Sequence, residues 1–235
     1  MKFRFPIVII DEDYRAENIS GLGIRALAEA IESEGFEVVG VTSYGDLTQF
    51  AQQQSRASAF ILSIDDEEFT DVNSDNDVSL AVENLRNFIE EVRRKNEDVP
   101  IYVYGETKTS RHLPNDILRE LHGFIHMFED TPEFVARHII REAKAYLEYI
   151  QPPFFKALLD YAEDGSYSWH CPGHSGGVAF LKSPIGQMYH QFYGENMLRA
   201  DVCNAVEELG QLLDHNGAIG ESERNAARIF NADHC

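Results

Sequence analysis

Apolar and polar positions alternate in two rhythms over the first 150 residues. Short continuous apolar runs predict strands buried on both faces: Ile7-Val8-Ile9-Ile10, Val38-Val39-Gly40-Val41, Phe60-Ile61-Leu62-Ser63-Ile64, Ile101-Tyr102-Val103-Tyr104 and Phe124-Ile125-His126-Met127-Phe128. Between them lie stretches of helical period. Ile24, Leu27, Ala28 and Ile31 share one face, and so do Leu85, Phe88, Ile89 and Val92. In the last such stretch Phe134, Val135, His138, Ile139 and Tyr146 are expected to form the apolar face. Strands alternating with helices predict an α/β domain with a five-stranded parallel sheet covered on both faces, in flavodoxin-like or receiver-like order.

The acid-rich stretch Asp65 to Asp77 has few apolar residues and is expected to be an exposed loop. Gln151-Pro152-Pro153 stops the last helix, because proline lacks the amide donor and clashes with the preceding turn. A domain boundary is therefore expected there, with one domain over 1–150 and a second segment over 151–235. In that segment Phe154 to Tyr161 fits a short helix. Glycine and proline between Gly165 and Gly186 argue for extended, turn-rich chain, and a final helix is predicted from Gly220 to Phe230. These elements are too few to close a core, so 151–235 is expected to be an incomplete domain.

A hydrophobic share of 43% and a charged share of 26% describe a soluble globular chain rather than a disordered one. The net charge of −20 repels phosphate backbones and anionic lipid, so neither nucleic acid nor a membrane surface is an expected partner. Cys171, Cys203 and Cys235 are too scattered for a disulfide framework. No apolar run approaches the ~20 residues of a membrane span. The first apolar run ends in Asp11-Glu12-Asp13, unlike a secretory signal. The expected compartment is the cytoplasm.

Three patterns suggest chemistry. Asp11, Glu12 and Asp13, with Asp65 and Asp66, stand where a response-regulator receiver keeps its metal and phosphoacceptor. That chemistry needs a lysine after strand five, where the chain reads Met127-Phe128-Glu129-Asp130. The acids are accordingly read as solvated loop ends. Gly21-Leu22-Gly23-Ile24-Arg25-Ala26 matches the dinucleotide fingerprint G-x-G-x-x-A, but it does not follow directly on a strand and is read as a helix start capped by Asn18 or Ser20. His170-Cys171-Pro172-Gly173-His174, with Cys203 and His215 downstream, lacks the paired ligand spacing of a zinc site. A sharp loop is preferred, in which Pro172-Gly173 turns the chain and Gly176-Gly177 admits close approach of another backbone or a ligand.

Two longer stretches carry a resemblance. The run Ser168-Trp169-His170-Cys171-Pro172-Gly173-His174-Ser175-Gly176-Gly177, followed by Lys182-Ser183-Pro184-Ile185-Gly186, resembles the PGHxGG…KSPxG segment of bacterial ornithine/lysine/arginine decarboxylases. Phe192-Tyr193-Gly194-Glu195-Asn196, Arg199-Ala200-Asp201, Glu208-Leu209-Gly210, Leu212-Leu213-Asp214-His215 and Glu223 to Asp233 continue the match. Two departures are Cys171, where many members have threonine, and Val202 to Glu207, which replaces a serine-rich run ending in proline.

The resemblance implies a flavodoxin-like wing domain over 1–150. Residues 151–235 would then be the linker and incomplete start of a fold-type I major domain. It implies pyridoxal 5'-phosphate held by a lysine, a basic amino acid as substrate, and a homo-oligomer (a dimer, in some members a decamer). Some members also bind regulatory nucleotides near the wing. The family's phosphate loop, stacking histidine, pyridine-nitrogen aspartate and Schiff-base lysine match no position here, and the lysine is expected beyond Cys235. No catalytic, cofactor-binding or metal residue is therefore expected in this chain, and the chain alone is expected to be inactive. The segment expected to lie near an active site or a subunit interface is Pro172, Gly173, His174, Ser175, Gly176 and Gly177. The alternative is a non-catalytic oligomerisation or interaction module, with a degenerate receiver domain as the third reading.

Overall fold

The computed structural model describes residues 5–42, 56–64, 75–111, 113–165, 172–203 and 206–235, with 75–81 described by backbone alone. The chain divides into two compact units, Lys2–Tyr149 and Ile150–Cys235.

The first unit is a five-stranded sheet of β1 (Ile7–Ile10), β2 (Val38–Val41), β3 (Ala59–Ser63), β4 (Ile101–Gly105) and β5 (Gly123–His126). The order is β2-β1-β3-β4-β5 and every pairing is parallel, which is the flavodoxin-like arrangement. Its helices are α1 (Ile19–Ser33), α2 (Asp75–Lys95), α3 (Thr107–Ser110), α4 (Asn115–Glu120) and α5 (Pro132–Tyr149). Register explains why the apolar runs are continuous. Ile7 stands opposite Val38 and Ala59, so alternate residues of neighbouring strands feed the same face. Ile7, Ile9, Ile61 and Tyr102 join a core cluster with residues of α1 and α5. Val8, Phe60, Leu62 and Val103 join another with α2 and α4.

Some details differ from the sequence reading. Strand five stops at His126, and Phe128 takes a left-handed backbone with φ of 64°, turning the chain despite its apolar side chain. The buried face of α5 is Ala136, Ile139, Ile140, Ala143 and Tyr146, while Phe134 is 61% exposed and His138 is exposed. The small alanines let α5 pack closely on α1, so a stripe drawn from the largest side chains is displaced. Asp75 to Asp77 open α2 instead of extending a loop; the rest of the acid-rich stretch, with Asp65 and Asp66, lies outside the described residues. Asn18 caps α1 by accepting from the Gly21 amide at 2.8 Å.

Asp11 is not a solvated loop end, being only 2% exposed. Its Oδ1 accepts from the Asp13 amide at 2.7 Å, capping the short 3-10 turn Glu12–Arg15. Burial pushes its carboxyl above the ordinary range, and the neighbouring Asp13 and Glu12 add to the rise against hydrogen bonds that lower it.

The second unit contains α6 (Pro153–Asp164), α7 (Pro184–Tyr193), α8 (Glu195–Arg199) and α9 (Gly217–Ile229), with 3-10 turns at Val178–Lys182 and Glu207–Leu209. Pro153 does more than end the preceding helix: it is the first residue of α6, where a missing amide costs nothing. Helix α7 begins inside chain expected to be extended, its first three residues, Pro184 to Gly186, closing that stretch. Ser183 caps it, accepting from the Gly186 amide at 3.1 Å, and Pro184 sits in its first turn. Among the described residues no helix is long and apolar enough to cross a membrane.

Candidate functional site

The Pro172–Gly177 segment forms a compact turn whose conformation follows from its composition. Ser175, Gly176 and Gly177 have φ of 49°, 64° and 93°, a left-handed run that glycine adopts without a Cβ penalty. The turn is closed by backbone bonds from the Gly177 and Ala179 amides to the His174 carbonyl, at 3.0 and 3.1 Å.

His174 organises the turn. Its side chain is only 16% exposed. The Gly177 amide donates to Nδ1 at 3.1 Å, so the ring proton resides on Nε2, which donates to Asp201 Oδ2 at 2.9 Å. The imidazole stacks on Phe180, with ring centroids 5.6 Å apart and 25° between planes. Phe180 in turn packs against Tyr189, and Tyr189 against Tyr193, at 4.6 and 4.5 Å. One face of α7 is thereby tied to the loop.

The glycines differ in what they admit. A Cβ on Gly177 would lie 2.7 Å from Leu198 Cδ1, so α8 approaches backbone that only glycine supplies. At Gly176 the nearest atom would be Arg199 Cγ at 3.4 Å, and at Gly173 nothing lies within 4 Å. Beside the loop is a cleft of about 280 Å³ lined in part by Tyr161, Ser175, Gly176, His190 and Arg199. Arg199 is already committed, with Nη2 on Glu195 Oε1 at 2.7 Å and Nη1 donating to the Ala162 carbonyl at 3.2 Å.

The structure thus brings His174 and Gly177 together with Asp201, Leu198 and Phe180, and leaves Gly173 and Ser175 on the surface. The sequence reading did not single out Asp201 or Arg199 as site residues. The i,i+4 spacing of Glu195 and Arg199 was a legible ion-pair signal, whereas nothing local announces that His174 meets an acid 27 positions away. His170 and Cys171 lie outside the described residues. Among the described residues no group of three or more histidine, cysteine or acidic side chains is placed to hold a metal.

Residues 19–146 match the Orn/Lys/Arg decarboxylase N-terminal domain, and residues 152–235 match the Orn/Lys/Arg decarboxylase major domain. The chain belongs to the Orn/Lys/Arg decarboxylase family. It is 36% identical over 234 residues to lysine decarboxylase LdcA of Pseudomonas aeruginosa, covering 98% of this chain and 30% of that protein. To the biodegradative arginine decarboxylase of Escherichia coli it is 32% identical over 229 residues, covering 97% of this chain and 29% of that protein. The solved structure of lysine decarboxylase A from Pseudomonas aeruginosa is similar with a TM-score of 0.84, over 99% of this chain and 30% of that one. The chain therefore spans about 30% of the length of the curated relatives it matches.

Proposed function

We propose that this chain is the amino-terminal portion of a decarboxylase converting lysine, arginine or ornithine to the corresponding amine and carbon dioxide. In this reading residues 1–150 are the wing domain, and 151–235 are the linker and the beginning of the cofactor domain. The observation that carries it is the tandem match of the family's N-terminal and major domains, in that order, to adjoining segments.

The cofactor of such an enzyme is pyridoxal 5'-phosphate, which supplies the electron sink for the carbanion left when carbon dioxide departs. The residues present do not fit it. A Schiff base needs a lysine, and the two lysines of the second unit, Lys156 and Lys182, are exposed and outside the cleft beside the loop. The arginine of that cleft is engaged by Glu195 and a backbone carbonyl rather than open to a phosphate. In this reading the chain alone is inactive and binds no cofactor covalently. Its Pro172–Gly177 loop shapes backbone close to the active site or a subunit interface of the whole enzyme. That enzyme is a cytoplasmic homo-oligomer, at least a dimer. Ile185, Met188 and Phe192, standing bare on α7, support the burial of this unit against more protein.

The test is made on the native protein. An antibody to this chain should detect a polypeptide about three times its length in the source organism. The purified material should release carbon dioxide from one of the three amino acids and lose that activity on borohydride reduction. The 235-residue chain should release none. A native polypeptide no longer than this chain, co-purifying with a separate decarboxylase, would favour the interaction-module reading instead. Carbon dioxide released by the isolated chain would contradict its proposed inactivity.

A further inference from the structure

The first unit contains a cleft of about 330 Å³ that the decarboxylase reading does not use. It opens between the first turns of α1 and α5, above the carboxyl ends of β4 and β5. Ile19, Leu22, Leu27, Phe128 and Val135 make its walls apolar. The volume is in the range of small-molecule sites and many times that of one water.

Three polar side chains line it, and each can accept a hydrogen bond. Tyr104 is only 5% exposed, and no hydrogen bond from its hydroxyl is seen among the described residues. Burial pushes this phenol up to about 12, with Asp11 adding to the rise, so it stays neutral at physiological pH. Gly23 keeps room beside the hydroxyl, since a Cβ there would stand 2.7 Å from Tyr104 Oη and 3.2 Å from Phe128 Cε1.

His126 is fixed by its neighbours. Thr107 has one hydroxyl proton and bonds both Glu129 and His126 Nδ1. A carboxylate only accepts, so the Thr107 proton goes to Glu129 and Nδ1–H donates to Thr107 Oγ1. With Nδ1 as the donor, Nε2 is the ring nitrogen that can accept in the uncharged imidazole. Asp130 is the third group, an exposed carboxylate in the lining with no ion pair among the described residues. Among the described residues no lysine or arginine lines the cleft to pair with a phosphate or carboxylate.

We propose that this cleft is a binding site for a small aliphatic primary amine, its ammonium taken by Tyr104, His126 and Asp130 and its carbon tail laid along the apolar walls. An ammonium carries three N–H donors, matching three acceptors, and a chain of net charge −20 concentrates cations near its surface. The proposal does not depend on the decarboxylase reading.

The experiment uses the whole 235-residue chain with labelled methyl groups, titrated with n-pentylamine, pentan-1-ol and pentanoate. Pentylamine should give saturable shifts at Ile19, Leu22, Leu27 and Val135, pentanol should bind about tenfold more weakly, and pentanoate should give no response. Tyr104→Phe and Asp130→Asn should each weaken the amine about threefold or more while leaving the rest of the spectrum in place. Asp130 is exposed, so its variant keeps the test valid should Tyr104→Phe disturb folding. Equal binding of alcohol and amine would overturn the proposal, and so would saturable shifts confined to other residues. Shifts at these methyls that depend on protein concentration without ligand would assign the cleft to a second copy of the chain and likewise overturn it.

Discussion

In the first unit Phe60, Ile61, Leu62 and Tyr102 are all but fully covered, whereas in the second Phe192 is 82% exposed and Ile185, Met188, Leu213 and Phe230 also stand in solvent. The sheet lets the first unit bury apolar side chains on two faces at once, each worth about 1.5–3 kcal/mol. Among the described residues of the second unit only Ala162, Leu198, Val206 and Leu209 are buried hydrophobics. The second unit relies on local devices instead: the His174–Asp201 bond, the bare backbone at Gly177, the Ser183 cap and the stack running from His174 to Tyr193. The lesson is one of autonomy. The first unit carries its own core, whereas the described part of the second leaves most of its large apolar side chains uncovered.

The sharpest way to break that contrast is to cut both surfaces. Phe60→Ala removes a ring packed edge-on to Phe88 at 5.6 Å, and should cost about 3–5 kcal/mol in urea denaturation. Phe192→Ser in the same chain should change stability by less than about 0.5 kcal/mol. Comparable losses would mean that the second unit has a core of its own. Gly177→Val places a branched side chain at φ of 93° against Leu198, and should destabilise the second unit by about 2 kcal/mol. Limited proteolysis should then cut faster after residue 150 and no faster before it.

A smaller effect probes the histidine. His174→Ala should loosen the loop by about 1 kcal/mol, seen as roughly fivefold faster amide exchange over residues 174–180 with the first unit unchanged. The smallest lies within the well-packed unit. Burial raises the Asp11 carboxyl, so the folded state holds its proton more tightly than the unfolded state does. The stability this supplies is complete below the ordinary value of 3.8 and is lost as pH rises through the folded value. Asp11→Asn should therefore raise the melting temperature at pH 7 by about 2 °C, and the gain should vanish near pH 3.5. A gain that persists in acid would point to packing rather than ionisation.

The strands were legible because a parallel sheet covered on both sides demands unbroken apolar runs, and Ile7–Ile10 and Ile101–Gly105 are buried throughout. The same rule overran at Met127 and Phe128, where hydrophobicity says nothing of a left-handed φ. Asp11 was misread because a carboxylate after a strand looks the same in sequence whether solvated or buried. Helix α7 announced itself through Ser183-Pro184, a cap followed by proline, but glycine density argued the other way. Within the candidate site the turn could be read from Pro172 and the glycines. The partners that give it shape, Leu198 and Asp201, arrive from another helix end and are invisible to any local pattern.

Helix α5, the last element of this unit, lies against α1, its first α-helix. Translation delivers them in the opposite spirit, one end long before the other. While the ribosome is still short of Tyr149, the outer side of α1 has nothing to close over it. Once that residue clears the exit tunnel the block can lock, and at roughly 5–20 residues per second α9 follows it only some seconds later. A nascent chain arrested in that interval should already carry a protease-resistant first unit. The bare phenylalanines would then emerge behind a finished, strongly negative body that holds neighbouring nascent chains at a distance.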